Sequence, residues 1–472
     1  MLGRIFFATG GLIFSLSCIA KSEKPNIVFI MADDLGWNDL GYTGSDYHET
    51  PSIDRLASQG MIFTNAYSAA ANSAPSRACL MSGKYTPRHG IYTVSPSDRG
   101  DKKKRKLIPI KNTEDLSADF ITLGEALKKH GYTCGHVGKW HLGDDNDGTG
   151  PLSQGFDLNI AGCRAGTPYS YFYPYCNKKK DVCHPNIDEG KEGEYLTDRL
   201  TDEAIKFMTT SSKGEKPFFL YLAHHAVHTP LKAPEKLIKK YQNKKKGMYH
   251  NNSVYAAMTE SLDNSVGRIC NTLDSLGIAD NTIIVFTSDN GGSEPVTDNF
   301  MLRGGKGMPY EGGIRVPLII KWPNHIKPGA SCDVSVSGID FYPTFVNLAG
   351  GEVNSSLDGE DLSPLFNSLS KVFNERDLFW HFPAYLQSYN NSGMDFRATP
   401  YSIILSNKWK LIYFYETNSF ELYKIDNDIM EKQNLVDKYP EVANMMVDKL
   451  KKWIVNTNAP IPTEKNPEYV EK

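Results

Sequence analysis

The chain lacks any Cys-x-x-Cys spacing, its eight cysteines standing apart at positions 18, 79, 134, 163, 176, 183, 270 and 332. That excludes a zinc cluster of paired cysteines and a thioredoxin-like redox motif. It also lacks an excess of one charge. With 52 Lys and Arg against 55 Asp and Glu, the formal net charge is −3, so no global field draws the protein to a nucleic acid or an anionic membrane. Internal repeats and long low-complexity tracts are absent too, which removes solenoids and disordered tails from consideration. What remains is an ordinary globular composition, 40% hydrophobic and 23% charged over 472 residues, long enough for one large α/β unit and a smaller companion.

Apolar character is concentrated at the N-terminus, where Arg4 precedes a run from Ile5 to Ala20 that gives way to Lys21-Ser22-Glu23-Lys24. The run is too short for a membrane span and reads as a secretory signal peptide over residues 1–20, cleaved after Ala20. The competing reading is lipid anchoring at Cys18, for which Ser15-Leu16-Ser17-Cys18 is a poor lipobox. Both place the protein outside the cytoplasm, periplasmic or secreted, with no transmembrane segment in the mature chain. Of the other cysteines, Cys176 with Cys183, or either with Cys163, are the local candidates for a bridge, and spacing does not choose among them.

Short runs rich in β-branched and aromatic residues follow: Ile27–Met31, Thr133–Val137, Phe218–Leu222, Thr282–Phe286 and Val316–Ile320. Such runs suit strands buried on both faces of a parallel sheet. Segments of helical spacing, Thr122–Leu127 and Ala256–Leu276, lie between them. The alternation predicts an α/β fold with a large, mostly parallel central sheet sandwiched by helices over residues 25–365. Beyond it, Tyr401–Leu405, Trp409–Tyr415 and Phe420–Ile425 alternate with polar turns, ahead of a helix from about Glu441 to Val455. That pattern predicts a smaller α+β subdomain with an antiparallel sheet over residues 366–472.

In open α/β sheets ligands bind beyond the carboxyl ends of the strands. Four runs end there in reactive residues: Asp33-Asp34, Lys139-Trp140-His141, His224-His225-Ala226-Val227-His228 and Asp289-Asn290-Gly291-Gly292. Asp33, Asp34, Asp289 and Asn290 are all hard oxygen donors, the set for Ca²⁺ or Mg²⁺ rather than zinc. The alternative, that Asp-Asp and Asp-Asn-Gly-Gly are plain turns, is weakened by their shared position after buried strands. Gly291-Gly292 would let the backbone pass close to a ligand. Lys139 and His141, two apart in extended chain, would face the same way and could grip an anion. The Lys-rich runs 102–106, 178–180 and 239–246 could attract a sulfated polymer, although a solvated surface explains each as well.

The segment Ser73-Ala74-Pro75-Ser76-Arg77-Ala78-Cys79-Leu80-Met81-Ser82-Gly83 resembles the signature of the formylglycine sulfatases: Cys or Ser, any residue, Pro, Ser, Arg, then Leu and Gly. It lies downstream of Ala32-Asp33-Asp34-Leu35-Gly36 and upstream of Gly138-Lys139-Trp140-His141, His228-Thr229-Pro230, Ser288-Asp289-Asn290-Gly291, Gly304-Gly305-Lys306-Gly307 and Glu311-Gly312-Gly313-Ile314-Arg315. In this order the motifs are similar to those of type I, arylsulfatase-like enzymes of the alkaline phosphatase superfamily, among them bacterial carbohydrate sulfatases.

The resemblance implies an alkaline phosphatase-like fold and hydrolysis of sulfate esters by the hydrate of a formylglycine made from Ser73. It implies one Ca²⁺ per chain, held by Asp33, Asp34, Asp289, Asn290 and residue 73. Arg77 would steady the nucleophile and the metal carboxylates, and Lys139 and Lys306 would grip the sulfate. His141 would take the proton whose loss releases sulfate, and His228 would protonate the leaving alcohol. His136 and His225 match neither motif position and would support at most. Ser rather than Cys at position 73 implies maturation by a sulfatase-maturating enzyme of the anaerobic radical type. Cys79 lacks the following Pro and Arg and is expected as core packing. The aromatic stretches Gly166–Tyr175 and Phe379–Tyr385 point to a sulfated carbohydrate substrate, with His381 as a contact, although core packing accounts for such residues equally well. The rivals are a phosphomonoester or phosphonate hydrolase, since one fold supports both chemistries, and a non-catalytic binder of sulfated glycans.

Overall fold

The computed structural model describes residues 24–187, 189–366, 373, 376–389 and 393–471. The signal-peptide and Cys18 readings fall outside the described residues. In chain order the strands of the central sheet are Asn26–Ala32 (β1), Met61–Phe63 (β2), Thr133–Gly138 (β3), Leu158–Ile160 (β4), Phe218–Ala223 (β5), Thr282–Ser288 (β6), Leu318–Lys321 (β7) and Ala330–Cys332 (β8). They lie side by side as β8-β2-β7-β6-β1-β5-β3-β4. Every neighbouring pair is parallel except those made by β7, which runs antiparallel to both β2 and β6. The run Val316–Ile320, read from sequence among the parallel strands, is corrected accordingly. Between β6 and β7 the chain carries only a one-turn helix, Glu311–Ile314. A parallel strand needs a long crossover, usually helical, whereas an antiparallel neighbour does not.

Alternation along β1 feeds two separate cores, as a two-residue period requires of a sheet covered on both faces. Ile27, Phe29 and Met31 pack with helices Ser73–Ser82 (α2), Leu123–Lys129 (α3) and Phe341–Leu348 (α6). Val28, Ile30 and Ala32 pack on the other side with Pro51–Gln59 (α1), Leu196–Ser211 (α4) and Ser253–Ser275 (α5). The start of α3 is set by a capping box: the Glu125 amide donates to Thr122 Oγ1 at 3.2 Å, and the Thr122 amide donates to Glu125 Oε2 at 2.8 Å. Such reciprocal bonds satisfy two otherwise orphaned amides.

A second sheet has the order Leu378–Phe382 (β9), Tyr401–Ser406 (β10), Trp409–Phe414 (β11), Ser419–Lys424 (β12), antiparallel throughout. Helix Pro440–Thr457 (α7) covers one face, where Ile404, Leu411 and Leu422 meet Met446 and Leu450 in a core that also takes in Cys79 of α2. The expected role of Cys79 in packing is what the structure displays. Cys176 and Cys183 form the disulfide, and Cys163 is free. No helix among the described residues is long and apolar enough to cross a membrane.

The two sheets are also tied by buried charge. Lys410 of β11, with no exposed side-chain surface, reaches Glu311 Oε1 at 3.0 Å and Glu431 Oε1 at 2.8 Å. Arg315 Nε donates to the other Glu311 oxygen at 2.8 Å. Burial pushes the Glu431 carboxyl up to about 7, with Lys410 opposing the rise and Glu311 adding to it. Lys410→Met leaves these carboxylates short of a cation and is expected to cost about 3–5 kcal/mol of stability near neutral pH. Removing the cation raises the folded-state pKa further, so the penalty shrinks as the pH falls and the carboxyls protonate. Guanidinium denaturation of both proteins at neutral and mildly acidic pH measures it, and an equal midpoint at neutral pH would refute the tie.

Candidate active site

The carboxyl ends of β1, β3, β5 and β6 converge, and backbone bonds across them set the register of the residues beyond. The Asp33 amide donates to Ala226 O at 2.9 Å, that of Lys139 to Ala223 O at 2.7 Å and that of Asp289 to Ala32 O at 3.1 Å. Asp33, Asp289 and Asn290 are completely buried and Asp34 nearly so. The close approach foreseen at Gly291 is to protein rather than ligand. A Cβ there would sit 1.8 Å from Gly312 O, so only glycine lets the Asp289-Asn290 loop lie against the Glu311–Ile314 turn.

Helix α2 points its N-terminus into this cluster. Its first residue, Ser73, donates from Oγ toward Asp33 Oδ1 and Asn290 Oδ1, each 3.2 Å away. One turn on, Arg77 faces the same way, as the i, i+4 spacing dictates. Its Nε and Nη2 donate to Asp289 Oδ2 at 3.0 and 2.8 Å, and Nη1 donates to Lys139 O at 3.0 Å. Lys139 Nζ donates to Asp33 Oδ2 at 2.8 Å, and Lys306 Nζ donates to Asp34 Oδ2 at 2.7 Å. Three buried carboxylates thus face three buried cations. Burial pushes the Asp33 carboxyl up to about 7, with Asp289 and Asp34 adding to the rise and Lys139 and Arg77 opposing it. Asp34, against the cost of its burial, is held below the ordinary carboxylate range by Lys306, His228 and Lys139.

Two histidines complete the wall. His228 Nδ1 donates to Thr229 O at 2.6 Å, which leaves Nε2 as the free ring nitrogen, 3.5 Å from Asp34 Oδ2. Burial and the Lys306 charge bring its pKa down to about 3. The expectation that His141 shares an extended backbone with Lys139 is corrected: the φ of His141 is 64°. That left-handed turn lets Lys139 reach the carboxylates while the His141 ring lines the cavity. Its Nδ1 is buried without a partner among the described residues. Asp34 has a φ of 62° as well, so the site holds two residues in sparsely populated backbone conformations.

The cavity, about 380 Å³, is lined at its floor by Asp34, Ser73, His141, His228 and Lys306. The rest of its lining includes Thr167, from the stretch Gly166–Tyr175 that the sequence singled out, and Arg99, Ser293, Tyr389 and Arg397, which it did not. His381 is corrected. It is buried, its Nδ1 is bonded to Ser402 Oγ at 2.7 Å and its Nε2 to Pro460 O at 3.0 Å, so no ring nitrogen remains for a substrate. Most of the aromatic residues are packing. Trp380 donates to Ser68 O at 2.7 Å, and the buried Tyr171 hydroxyl reaches both His225 O and His228 O at 2.7 Å, positioning the histidine loop. Lys102 and Lys104 pair with Glu468 and Asp395 on the surface and do not line this cavity.

Residues 25–351 match the Sulfatase family, and residues 305–457 match N-sulphoglucosamine sulphohydrolase, C-terminal. The chain is 36% identical over 513 residues to a sulfatase of Formosa agariphila, covering 93% of this chain and 90% of that protein. It is 34% identical over 441 residues to the N-acetylgalactosamine-6-sulfatase of Mus musculus, covering 88% of this chain and 76% of that one. The crystal structure of Ps i-CgsB in complex with k-i-k-neocarrahexaose is similar at 33% identity with a TM-score of 0.78, covering 94% of this chain and 95% of that one. With the converging carboxylates, the cationic wall and this likeness along nearly its whole length, the chain belongs to the sulfatase family and hydrolyses sulfate esters.

Proposed function

We propose that this sulfatase is exported and removes sulfate from a sulfated poly- or oligosaccharide, using a formylglycine made from Ser73 and one bound Ca²⁺. The observation that carries the reading is the position of Ser73 Oγ, at a helix N-terminus and 3.2 Å from both Asp33 Oδ1 and Asn290 Oδ1. The carbohydrate part is supported by the hexasaccharide complex of Ps i-CgsB and by the amino sugar in the name of the mouse relative.

The residues present fit a hard divalent cation. The side chains of Asp33, Asp34, Asp289 and Asn290 offer oxygen donors, and carboxylate oxygens of Asp33 and Asp34 lie within 4.8 Å of one another and of a ring nitrogen of His228, which stands at the edge of the set. The rise of Asp33 through burial and its carboxylate neighbours marks a strain that added positive charge relieves. Asp33, Asp34, Asp289, Asn290 and residue 73 would hold the ion, which supplies Lewis-acid stabilisation of sulfate oxygens and of the nucleophile's ionised form. An unmodified serine hydroxyl is a weak nucleophile; the hydrated aldehyde would supply a better one at the same place.

The chain's own groups then divide the work. Lys139 and Lys306 grip sulfate oxygens where charge builds. Arg77 fixes Asp289 with its planar guanidinium and so holds the floor in register. His228, with Nε2 toward the cavity, donates a proton to the leaving alcohol. An anionic sulfate beside it offsets the Lys306 charge and raises its pKa from the value of the empty site. His141, whose ring lines the cavity with residue 73, takes the proton from the nucleophile's second hydroxyl to free sulfate. A radical-type maturating enzyme is the partner that a serine at position 73 calls for.

Protein from its native host is expected to yield a peptide around residue 73 lighter by a pair of hydrogen atoms, the mass change of alcohol to aldehyde. An unmodified Ser73 in protein that still releases sulfate would sink the formylglycine reading. His228→Ala is expected to lower kcat for a sugar sulfate by roughly 10²–10⁴ but much less for 4-nitrophenyl sulfate, whose phenolate leaves unaided. Equal losses on both substrates would remove His228 from the proton-donor role. Chelation with EDTA is expected to lower both activity and Tm, with Ca²⁺ restoring both; a Tm indifferent to Ca²⁺ would overturn the metal assignment.

A further inference from the structure

Above the sulfate-cleaving floor, the cavity carries two arginines that the mechanism does not use. Arg397 and Arg99 both line it. Arg397 Nε is buried without a hydrogen-bond partner, and the guanidinium lies 4.4 Å over the Tyr389 ring. Arg99 makes no hydrogen bond or ion pair among the described residues. Buried guanidinium groups are ordinarily paired, and an exposed one would be solvated; among the described residues neither arginine makes an ion pair, the Glu294 carboxylate acting on Arg397 only through its field, so these partly buried arginines at the mouth of a cavity call for an anion from outside. Burial and the charge of Arg397 hold the Arg99 guanidinium below its usual range.

Both are held in place. An ideal Cβ on Gly307, next to Lys306, would stand 3.3 Å from Arg397 Nε and 3.4 Å from Asn72 Oδ1, the residue before Ser73. Arg397 is thus within a few ångströms of the backbone that carries the sulfate-gripping lysine. Arg99 sits between carbonyls that Arg105 clamps, its Nη1 donating to Asp98 O and to Gly100 O. Residue 98 also bridges to Tyr385, so the loop bearing Arg99 is fastened to the segment that leads to Tyr389 and Arg397. The Ser293 hydroxyl meets the Tyr389 hydroxyl at 3.2 Å and steadies the ring beneath Arg397.

We propose that Arg99 and Arg397 form an anion subsite beside the sulfate-cleaving centre, which selects a glycan carrying a second anionic group, a sulfate or a carboxylate, near the ester that is cut. The inference rests on the carbohydrate reading above and narrows it to polyanionic chains. Planar guanidinium suits either anion, because both offer paired oxygens to its fork of donors.

The test measures binding by titration calorimetry of sucrose octasulfate, an oligogalacturonate and inorganic sulfate to the intact protein, beside turnover of 4-nitrophenyl sulfate. Arg99→Gln and Arg397→Gln are each expected to weaken a polyanion by about tenfold, the loss of one charge-assisted hydrogen bond. Inorganic sulfate affinity and kcat on the aryl sulfate should stay within about twofold. Loss confined to the octasulfate assigns the subsite to sulfate, and loss confined to the oligogalacturonate assigns it to carboxylate. Unchanged affinity for both polyanions in the double variant overturns the proposal, as does an equal weakening of inorganic sulfate. If wild-type protein with an oxidised residue 73 fails to cleave the aryl sulfate, the nucleophile assignment fails, while the calorimetric result still decides the subsite.

Discussion

Three carboxylates stand completely or almost completely buried at the carboxyl edge of the sheet, each against its own cation: Asp289 against Arg77, Asp33 against Lys139, Asp34 against Lys306. Taking charges out of water costs several kcal/mol apiece, and the arrangement persists because the signs alternate and the geometry is held from outside. The carboxylates come from the ends of β1 and β6, which are parallel neighbours and so end side by side. The cations come from α2, from the end of β3 and from the loop before the Glu311–Ile314 turn. No one of these elements can shift without leaving a buried charge unpaired, so the site and the sheet around it constrain each other.

The second sheet contributes to this balance at a distance. Glu311, at the start of the turn whose backbone lies against Gly291, is bound by Arg315 and by Lys410 of β11. The same chain that closes the floor of the site is therefore anchored in the C-terminal sheet. That sheet and α7 in turn share a core with Cys79 of the helix that Ser73 begins. The small unit holds the backside of α2 and the loop of Lys306, and the stretch following β9 supplies Tyr389 and Arg397 to the cavity. Anchoring and cavity lining thus come from one segment of chain through different side chains.

Much of this was legible before any coordinates. The strands at Ile27, Thr133, Phe218 and Thr282, the capped helix at Thr122 and the long helix ending near Leu276 announce themselves through period and composition, because burial on both faces leaves only apolar residues. The floor of the site was legible for a related reason: a parallel sheet places the residues after its strands at one edge, so Asp33, Lys139, His228 and Asp289 could be gathered by position alone. The antiparallel course of β7 was hidden, since a buried apolar run has the same sequence in either direction. His381 was misjudged because an aromatic strand looks alike whether it rims a cleft or fills a core.

Residues tied to the backbone's own periodicity or to an ordered motif were determined by the sequence alone: the two-layered α/β core, the antiparallel companion, Ser73 and its charged surroundings. Arg99, Tyr389 and Arg397 were decided only by the tertiary structure, together with the pairing of Cys176 with Cys183 in preference to Cys163. Arg99 lies in a loop far along the chain from Tyr389 and from Arg397, which sits on the short strand Phe396–Ala398, and neither period nor spacing records that the loop around Asp98 crosses to Tyr385. A side chain's neighbours across such a crossing depend on how whole elements pack, which a linear pattern does not encode.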